Sequence, residues 1–293
     1  MAEKKIDITS TALEKGIDLA KNFLDKLITP AVEETGLLLK DKVTFWKFKN
    51  QVKILNKAKD YCEKNNISTK TIPLKLLCPL LDYSGIEEDE VLQDKWAILL
   101  SNLIDSEQNI QNHVFPYILS QISVKEFSEL EKVYIKKNKE KSNLTKELEE
   151  LKKNGNKTKI KLKQKITELN SQIENTDIST QTLVELQGKK SEASRQLNIL
   201  DSTKRRIEFD ISKPIQISPN TLKEFELSNV IRLGLVKIEK EYSTRSQRAE
   251  VQETHRFANN YVDIEIDIDS SEEIILTELG ELFISACQEK KSR

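Results

Sequence analysis

The sequence contains few of the residues that disulfide frameworks, metal sites and tight loops require. Its 293 residues include 3 Cys, 2 His, 7 Gly and 6 Pro. The cysteines, Cys62, Cys78 and Cys287, lie far apart, and their odd number argues against a disulfide framework. We therefore expect buried, reduced thiols in a reducing compartment. The low glycine and proline content excludes a low-complexity tail.

Long hydrophobic runs are also missing. No stretch approaches the roughly 18 apolar residues needed to cross a bilayer. The N-terminal MAEKKIDITS lacks the apolar core of a signal peptide. We therefore expect the protein to be cytoplasmic.

The common motifs of small-molecule chemistry are absent as well. The sequence has no G-x-x-x-x-G-K-[ST] phosphate loop, no G-x-G-x-x-G turn and no G-x-S-x-G elbow. His113 and His255 lie in separate polar stretches, without a cysteine, histidine or carboxylate at ligand spacing. We expect no catalytic residue, no metal site, no cofactor and no small-molecule substrate, and we predict that the protein is not an enzyme.

Charged residues and helical periodicity dominate what is present. Charged residues make up 32% of the chain and hydrophobic residues 37%, a balance typical of long solvated helices. The net charge is −1, but residues 132–206 are rich in lysine and residues 262–281 are acidic. Because 293 residues exceed what one core usually organises, we expect two globular parts and an extended element.

The first part is predicted to be an all-helical domain over residues 1–122. Its clearest helix runs from Asp89 to Asp105, where apolar residues form one stripe. The stretch from Leu13 to Leu39 is amphipathic. It can lie on a membrane, but its apolar face is more simply explained as part of the core.

The extended element is predicted to be an inserted coiled-coil arm over residues 138–206. Leucines and isoleucines recur there at steps of three and four, surrounded by charges. Polar breaks at Asn154–Asn156 and Ile178–Gln181 allow two or three helical passes. The simplest arrangement is an antiparallel hairpin whose two ends lie close together.

The remaining segments, residues 123–137 and 207–293, are predicted to form a winged-helix-like domain. A helix over Thr221–Arg232 precedes strands, of which the stretch from Tyr261 to Ile268 alternates most strictly, and a closing helix spans Leu276–Gln288. The predicted fold is therefore mainly α: an N-terminal helical domain and a C-terminal winged-helix-like α/β domain that a long antiparallel coiled-coil hairpin interrupts.

A winged helix suggests DNA, and five cations are candidate nucleic-acid contacts: Lys223, Arg232, Arg245, Arg248 and Arg256. Glu224 and Glu226 oppose this interpretation, because carboxylates on the same helix would face phosphates. The lysine-rich arm also has two interpretations. We favour the solvated faces of a coiled coil over electrostatic contact with nucleic acid or anionic lipid, since lysines at every second position spread around a helix.

Five segments resemble the abortive infection alpha family: PLKLLCPLL (residues 73–81), QDKWAILLSNLID (93–105), FPYILSQIS (115–123), IRLGLV (231–236) and LTELGELF (276–283). These are packing motifs, and they cover most of the chain outside the arm. The resemblance implies a bacterial or prophage-borne protein linked to antiviral defence. It brings no established chemistry.

We therefore predict a non-enzymatic interaction protein in anti-phage defence that acts through protein–protein contacts, with a protein partner or a second copy of itself. The alternatives are a nucleic-acid-binding winged-helix regulator and, third, a membrane-acting effector that makes peripheral contact with the bilayer.

Overall fold

Nine helices and three strands make up the part of the chain that the computed structural model describes, namely residues 10–27, 45–108, 113–174, 179–252 and 261–290. The predicted mainly helical class is confirmed. In chain order the elements are α1 (Ser10–Leu27), α2 (Phe45–Lys64), α3 (Leu74–Ser84), α4 (Glu90–Ile104), α5 (Phe115–Gln121), α6 (Val124–Ile173), α7 (Thr180–Ser212), β1 (Gln216–Ile217), α8 (Glu224–Arg232), β2 (Val236–Gln252), β3 (Tyr261–Leu276) and α9 (Glu278–Ala286).

The chain divides into two compact units. The first contains Met1–Glu131 and Gln216–Arg293, and the second contains Lys132–Ile215. The division falls inside the long helix α6. The boundaries that the sequence predicts for three domains remain predictions.

Aromatic residues that are far apart in the sequence meet in the core of the first unit. The ring of Phe283 on α9 lies 5.8 Å from Phe115 on α5 and 6.0 Å from Phe127 on α6, measured between centroids. Edge-to-face pairs of this kind add to the free energy of burial. Trp96 on α4 is fully buried in this unit. The C-terminal helix therefore belongs to the same core as the N-terminal helices.

Helix α4 matches its prediction closely because its ends have clear signals. Asp89 caps the helix by accepting hydrogen bonds from the amides of Val91 and Leu92, and Asp105 follows its last turn. Acceptors at the cap satisfy amides that would otherwise lack partners. The predicted range, Asp89–Asp105, includes the observed helix and both caps.

A polar clamp holds the C-terminal segment against the end of α4. Asn102 donates from Nδ2 to the carbonyls of Ala286 and Gln288, at 2.8 and 3.0 Å. Lys290 Nζ lies 2.6 Å from Asp105, and the Lys290 amide donates to the Tyr61 hydroxyl. Burial alone raises the pKa of Asp105, but hydrogen bonds from Lys290 and from the Glu107 amide outweigh it, so this pKa is lowered.

The three strands form one antiparallel sheet in the order β1-β3-β2. β2 and β3 pair from Val236 with Leu276 to Gln252 with Tyr261, with one register shift between Thr244 and Ser246. β1 pairs only with Ile274 and Ile275 of β3. We refer to the paired β2 and β3 as the ribbon. Residues 243–252, although mostly polar, continue β2.

Candidate functional site

Helices α6 and α7 form the pair that dominates the second unit. The least exposed positions along this part of α6 are Leu148, Gly155, Leu162 and Leu169, at steps of seven residues. Buried positions on α7 include Ala193 and Ile207, fourteen residues apart. Residues spaced by seven keep returning to one side of a helix, so these positions form a continuous inward-facing row, which we call the seam.

The chain reverses direction between the two helices. Only residues 174–179 separate the end of α6 at Ile173 from the start of α7 at Thr180. Gly155 lies 18 residues before the end of α6, and Leu200 lies 20 residues after the start of α7. These two residues lie against each other. Contacts at matched distances from the connection require antiparallel helices. The described residues therefore make two helical passes.

The predicted break at Asn154–Asn156 is not observed, because α6 continues through it. A methyl group built on Gly155 would lie 3.3 Å from Leu200 Cδ1. Glycine normally costs helix stability relative to alanine. Here its small size admits the leucine of α7, so packing between the helices outweighs the local propensity.

One ion pair lies beside the seam. Lys159 Nζ is 2.7 Å from an Asp201 carboxylate oxygen, and both side chains are about one-third exposed. This hydrogen bond lowers the pKa of Asp201, and the Lys159 charge adds to the effect. A polar contact among apolar neighbours favours one register of two helices over others.

The outward faces of the pair expose several large apolar side chains. They are Ile135, Ile160, Val184, Ile199 and Phe209, each more than half exposed. An open groove along α7 adds polar lining residues, among them Ser191, Ser194, Arg195 and Asn198. The pair therefore combines a packed inner side with an outer surface available for contact.

The structure separates the first two predicted nucleic-acid contacts. Lys223 and Arg232 lie at opposite ends of α8. The Lys223 ammonium is 5.9 Å from the ring centroid of Phe225, and Arg232 donates to the Asn229 side chain at 2.7 Å. Both cations thus have local partners on their own helix.

The carboxylate predicted to repel DNA from α8 is instead buried and bonded. Glu226 accepts the Lys223 amide at 2.7 Å and both of its oxygens contact Lys125 Nζ, at 2.9 and 2.7 Å. These bonds lower the pKa of Glu226, with that of Lys125 the largest cause. Asn229, nearer the end of α8, donates to Glu126, which caps α6 together with Ser123. The sequence alone does not reveal this partnership, because Lys125 and Glu226 are 101 residues apart.

Two of the other three predicted contacts, Arg245 and Arg248, lie on β2. Arg248 pairs through its backbone register with Glu265, and Arg245 stands at the register shift of β2. Arg256 lies outside the described residues, as does His255. The nucleic-acid contact through these five cations stays a prediction.

The thiols are in environments that suppress reactivity. Burial raises the pKa of all three cysteines, most strongly that of Cys287, which is fully buried. A thiol held protonated is a poor nucleophile. Within the described residues, no group of three or more His, Cys, Asp or Glu side chains has the arrangement of a metal site.

The apolar face of α1 is engaged in the first unit. Ala20, Phe23, Leu24 and Leu27 are at most 6% exposed, and α1 packs on α2. Among the helices that the structure describes, none has the length and apolar character needed to traverse a bilayer.

A family model described as abortive infection alpha matches residues 47–287. The matched range includes the five segments on which the resemblance rests and also the whole α6–α7 pair. Comparisons with curated proteins and with solved structures found no match.

Proposed function

Because the chain belongs to the abortive infection alpha family, we propose that it is an anti-phage defence protein that binds a protein partner through α6 and α7 and catalyses no reaction. The observation that carries this proposal is the construction of the helix pair. The apolar residues of its seam pack between the two helices. Its outer faces expose other large apolar side chains, which are surrounded by charged residues.

Pre-organisation supports a binding role for this pair. Leu148, Leu162 and Leu169 are at most 9% exposed, so the two helices are held together before any partner arrives. A surface that is already ordered loses less conformational entropy on association. Exposed apolar side chains such as Ile160, Val184 and Ile199 are then available as anchors at the centre of an interface.

The arrangement is consistent with a coiled coil inserted into a winged-helix-like domain, and we propose this as the finer description of the fold. The seven-residue steps of the seam support the coiled coil. The order of α8, β2, β3 and α9 supports the winged helix. We propose that this domain serves as a docking scaffold, because Lys223, Arg232 and Glu226 are engaged with neighbouring side chains.

The test is capture of partners by the full-length chain from phage-infected and uninfected cells, together with plaque counts on cells that express it. We expect a protein captured in defined proportion, and plaque formation reduced at least tenfold. The triple variant I160Q/V184Q/I199Q should lose both effects. The matched control is L19Q/I86Q/L282Q, in which three apolar residues of the first unit that are about half exposed become polar.

Two results would contradict the proposal. One is a strictly monomeric chain, measured by light scattering, that captures nothing from infected cells and still protects them. The other is full protection by the I160Q/V184Q/I199Q variant at wild-type abundance. Self-association that the triple variant abolishes would support the proposal with a second copy as the partner.

A further inference from the structure

Positive charge is concentrated in the second unit. Residues 132–215 contain 20 Lys and Arg against 12 Asp and Glu, whereas the rest of the chain contains 27 against 36. A chain of nearly zero net charge therefore carries a basic segment and an acidic remainder. Such segregation indicates an electrostatic partner more strongly than net charge does.

The charge is densest in the middle of α6. Residues 151–167 include seven lysines and no Asp or Glu. Four of these lysines, Lys153, Lys157, Lys161 and Lys165, follow one another at steps of four residues. Residues four apart are neighbours on a helix surface, so the four form one row, which we call the lysine row.

All four side chains of the lysine row are exposed. At 100° per residue, Lys153 and Lys157 lie on the outer side of α6, at least about 140° from Gly155 and Leu162, and the row then turns by about 40° a step until Lys165 lies about 60° from Leu162. At a rise of 1.5 Å per residue the row is about 18 Å long. Lysines at every second position do spread around the helix. Lys157, Lys161 and Lys165 belong to that series, and Lys153 adds a fourth lysine at the same step of four residues.

The row lacks the compensation that other cations on these helices have. Lys137, Arg195, Lys204 and Lys213 each have a carboxylate three or four residues away. Among the described residues, no ion pair involves a lysine of the row. Glu149, Glu150 and Glu168 stand three or four residues from its end members Lys153 and Lys165, whereas Lys157 and Lys161 have no carboxylate at either spacing. Like charges at steps of four destabilise a helix. A row retained at such a cost favours a binding role.

The surroundings of the row favour phosphates over a lipid surface. Neutral polar residues, Asn154, Thr158 and Gln164, lie between the lysines. A helix that binds a bilayer inserts an apolar face beside its basic one. The seam side of α6 is packed against α7, and among residues 153–165 Ile160 is the only large apolar side chain that is more than half exposed, which is too little for an inserted apolar face. A row of about 18 Å also spans roughly five base-pair steps of a duplex at 3.4 Å each.

We propose that the lysine row binds the sugar-phosphate backbone of nucleic acid by charge, without reading its sequence. This contact is separate from the protein partner proposed above, because it uses charged residues of α6 and none of Ile160, Val184 and Ile199. The two proposals therefore fail independently.

The test is titration of the full-length chain into a fluorescein-labelled 25-base-pair duplex, followed by anisotropy between 50 and 200 mM NaCl. Neutralising four phosphates predicts a slope of about −3.6 for log K against log salt concentration. This slope corresponds to about a 150-fold loss of affinity across that range. The variant K153Q/K157Q/K161Q/K165Q should bind at least tenfold more weakly at 50 mM and flatten the slope. K157Q alone should flatten the slope by about 0.9.

Two further variants separate local charge from total charge and from folding. K21Q/K26Q/K49Q/K75Q removes the same charge from exposed lysines of the first unit and should keep the wild-type slope. Replacing all four lysines of the row by arginine should retain binding. Circular dichroism checks that each variant keeps its helix content, which glutamine favours about as well as lysine does.

Several outcomes would overturn the proposal. They are no duplex binding at 50 mM NaCl, equal losses in the row variant and its control, and row-dependent binding to phosphatidylserine vesicles without duplex binding. A tenfold preference between two unrelated duplexes of equal length would overturn the claim that sequence is not read.

Discussion

Replacing Gly280 by alanine would put a methyl group where the backbone of β2 begins. A Cβ atom at this position would lie 2.3 Å from the Leu235 carbonyl oxygen and 2.8 Å from Leu276 Cδ1. The Leu235 carbonyl cannot rotate away like a side chain. It also accepts hydrogen bonds from the amide and hydroxyl of Thr277, the residue that caps α9. Helix α9 must therefore move away from the ribbon to admit the methyl group.

The cost can be worked out from two opposing effects. Overpacking of a well-packed core costs about 1–3 kcal/mol, and a clash with backbone belongs at the upper end. Alanine gains about 1 kcal/mol over glycine in a helix. We expect a net loss of about 2 kcal/mol in the free energy of unfolding. In a unit of this size, that loss lowers Tm by about 4–8 °C.

The assay is urea and thermal unfolding of the full-length chain, followed by circular dichroism at 222 nm. The matched control is Gly188→Ala in α7, because a Cβ there meets nothing within 4 Å. This control should gain up to about 1 kcal/mol. A Gly280→Ala variant as stable as the wild type would refute the reasoning, because it would mean that α9 does not lie this close to β2.

Three further predictions follow from burial and pairing. Leu162→Ala, at a seam position 9% exposed, should destabilise the helix pair by about 2 kcal/mol in urea unfolding, whereas Ile160→Ala, 58% exposed, should stay within about 0.5 kcal/mol of wild type. Asp105→Asn should lower the free energy of unfolding by about 1–2 kcal/mol at pH 7, since Lys290 remains 34% exposed. Because the folded-state pKa of Asp105 is lowered, its contribution is complete above about pH 4, the unfolded value, and is lost as pH falls through the folded pKa. The difference between wild type and Asp105→Asn should therefore shrink on acidification, and a constant difference would contradict the assignment. Finally, the thiols of Cys62 and Cys287 should react with a disulfide reagent only after unfolding, because burial shields them and raises their pKa. If either thiol in the folded chain reacted as fast as a small free thiol, its burial would be contradicted.

Local signals predicted helix α4 and the first half of strand β3 well because the deciding interactions are short in range. Asp89 caps the amides of the next turn, and one apolar stripe continues from Leu92 onward. Strict alternation marked the beginning of β3 at Tyr261. In each case the residues that specify the element lie within it, so a single stretch of sequence is enough.

Local signals misjudged Gly155 because its role depends on a residue 45 positions away. The sequence Asn154-Gly155-Asn156 has the composition of a turn, yet α6 continues because Leu200 fills the space above the glycine. The same limit applies to the clamp of Asn102, Asp105 and Lys290, whose partners come together only in the folded chain. No periodicity within a segment reveals such a contact.

The surface residues of the proposed interfaces were partly visible in the sequence. The basic character of residues 132–206 was apparent from composition alone. Composition alone does not show whether these charges are scattered or form a row. The row exists because α6 is unbroken, since a break at Gly155 would have rotated Lys153 out of line with Lys157. The exposure of Ile160 and Val184 was likewise not visible in the sequence, because it depends on which side of each helix faces the other helix.

The length of the ribbon has a consequence for how copies of this protein meet. Within the described residues β1 covers two residues of β3, so most of the ribbon has edges on which another strand can form hydrogen bonds. Lys240 and Glu272 face each other across the ribbon and form an exposed ion pair at 2.8 Å. Charged side chains on an open edge oppose pairing with another strand, so replacing both residues by apolar ones should promote ribbon-to-ribbon aggregation.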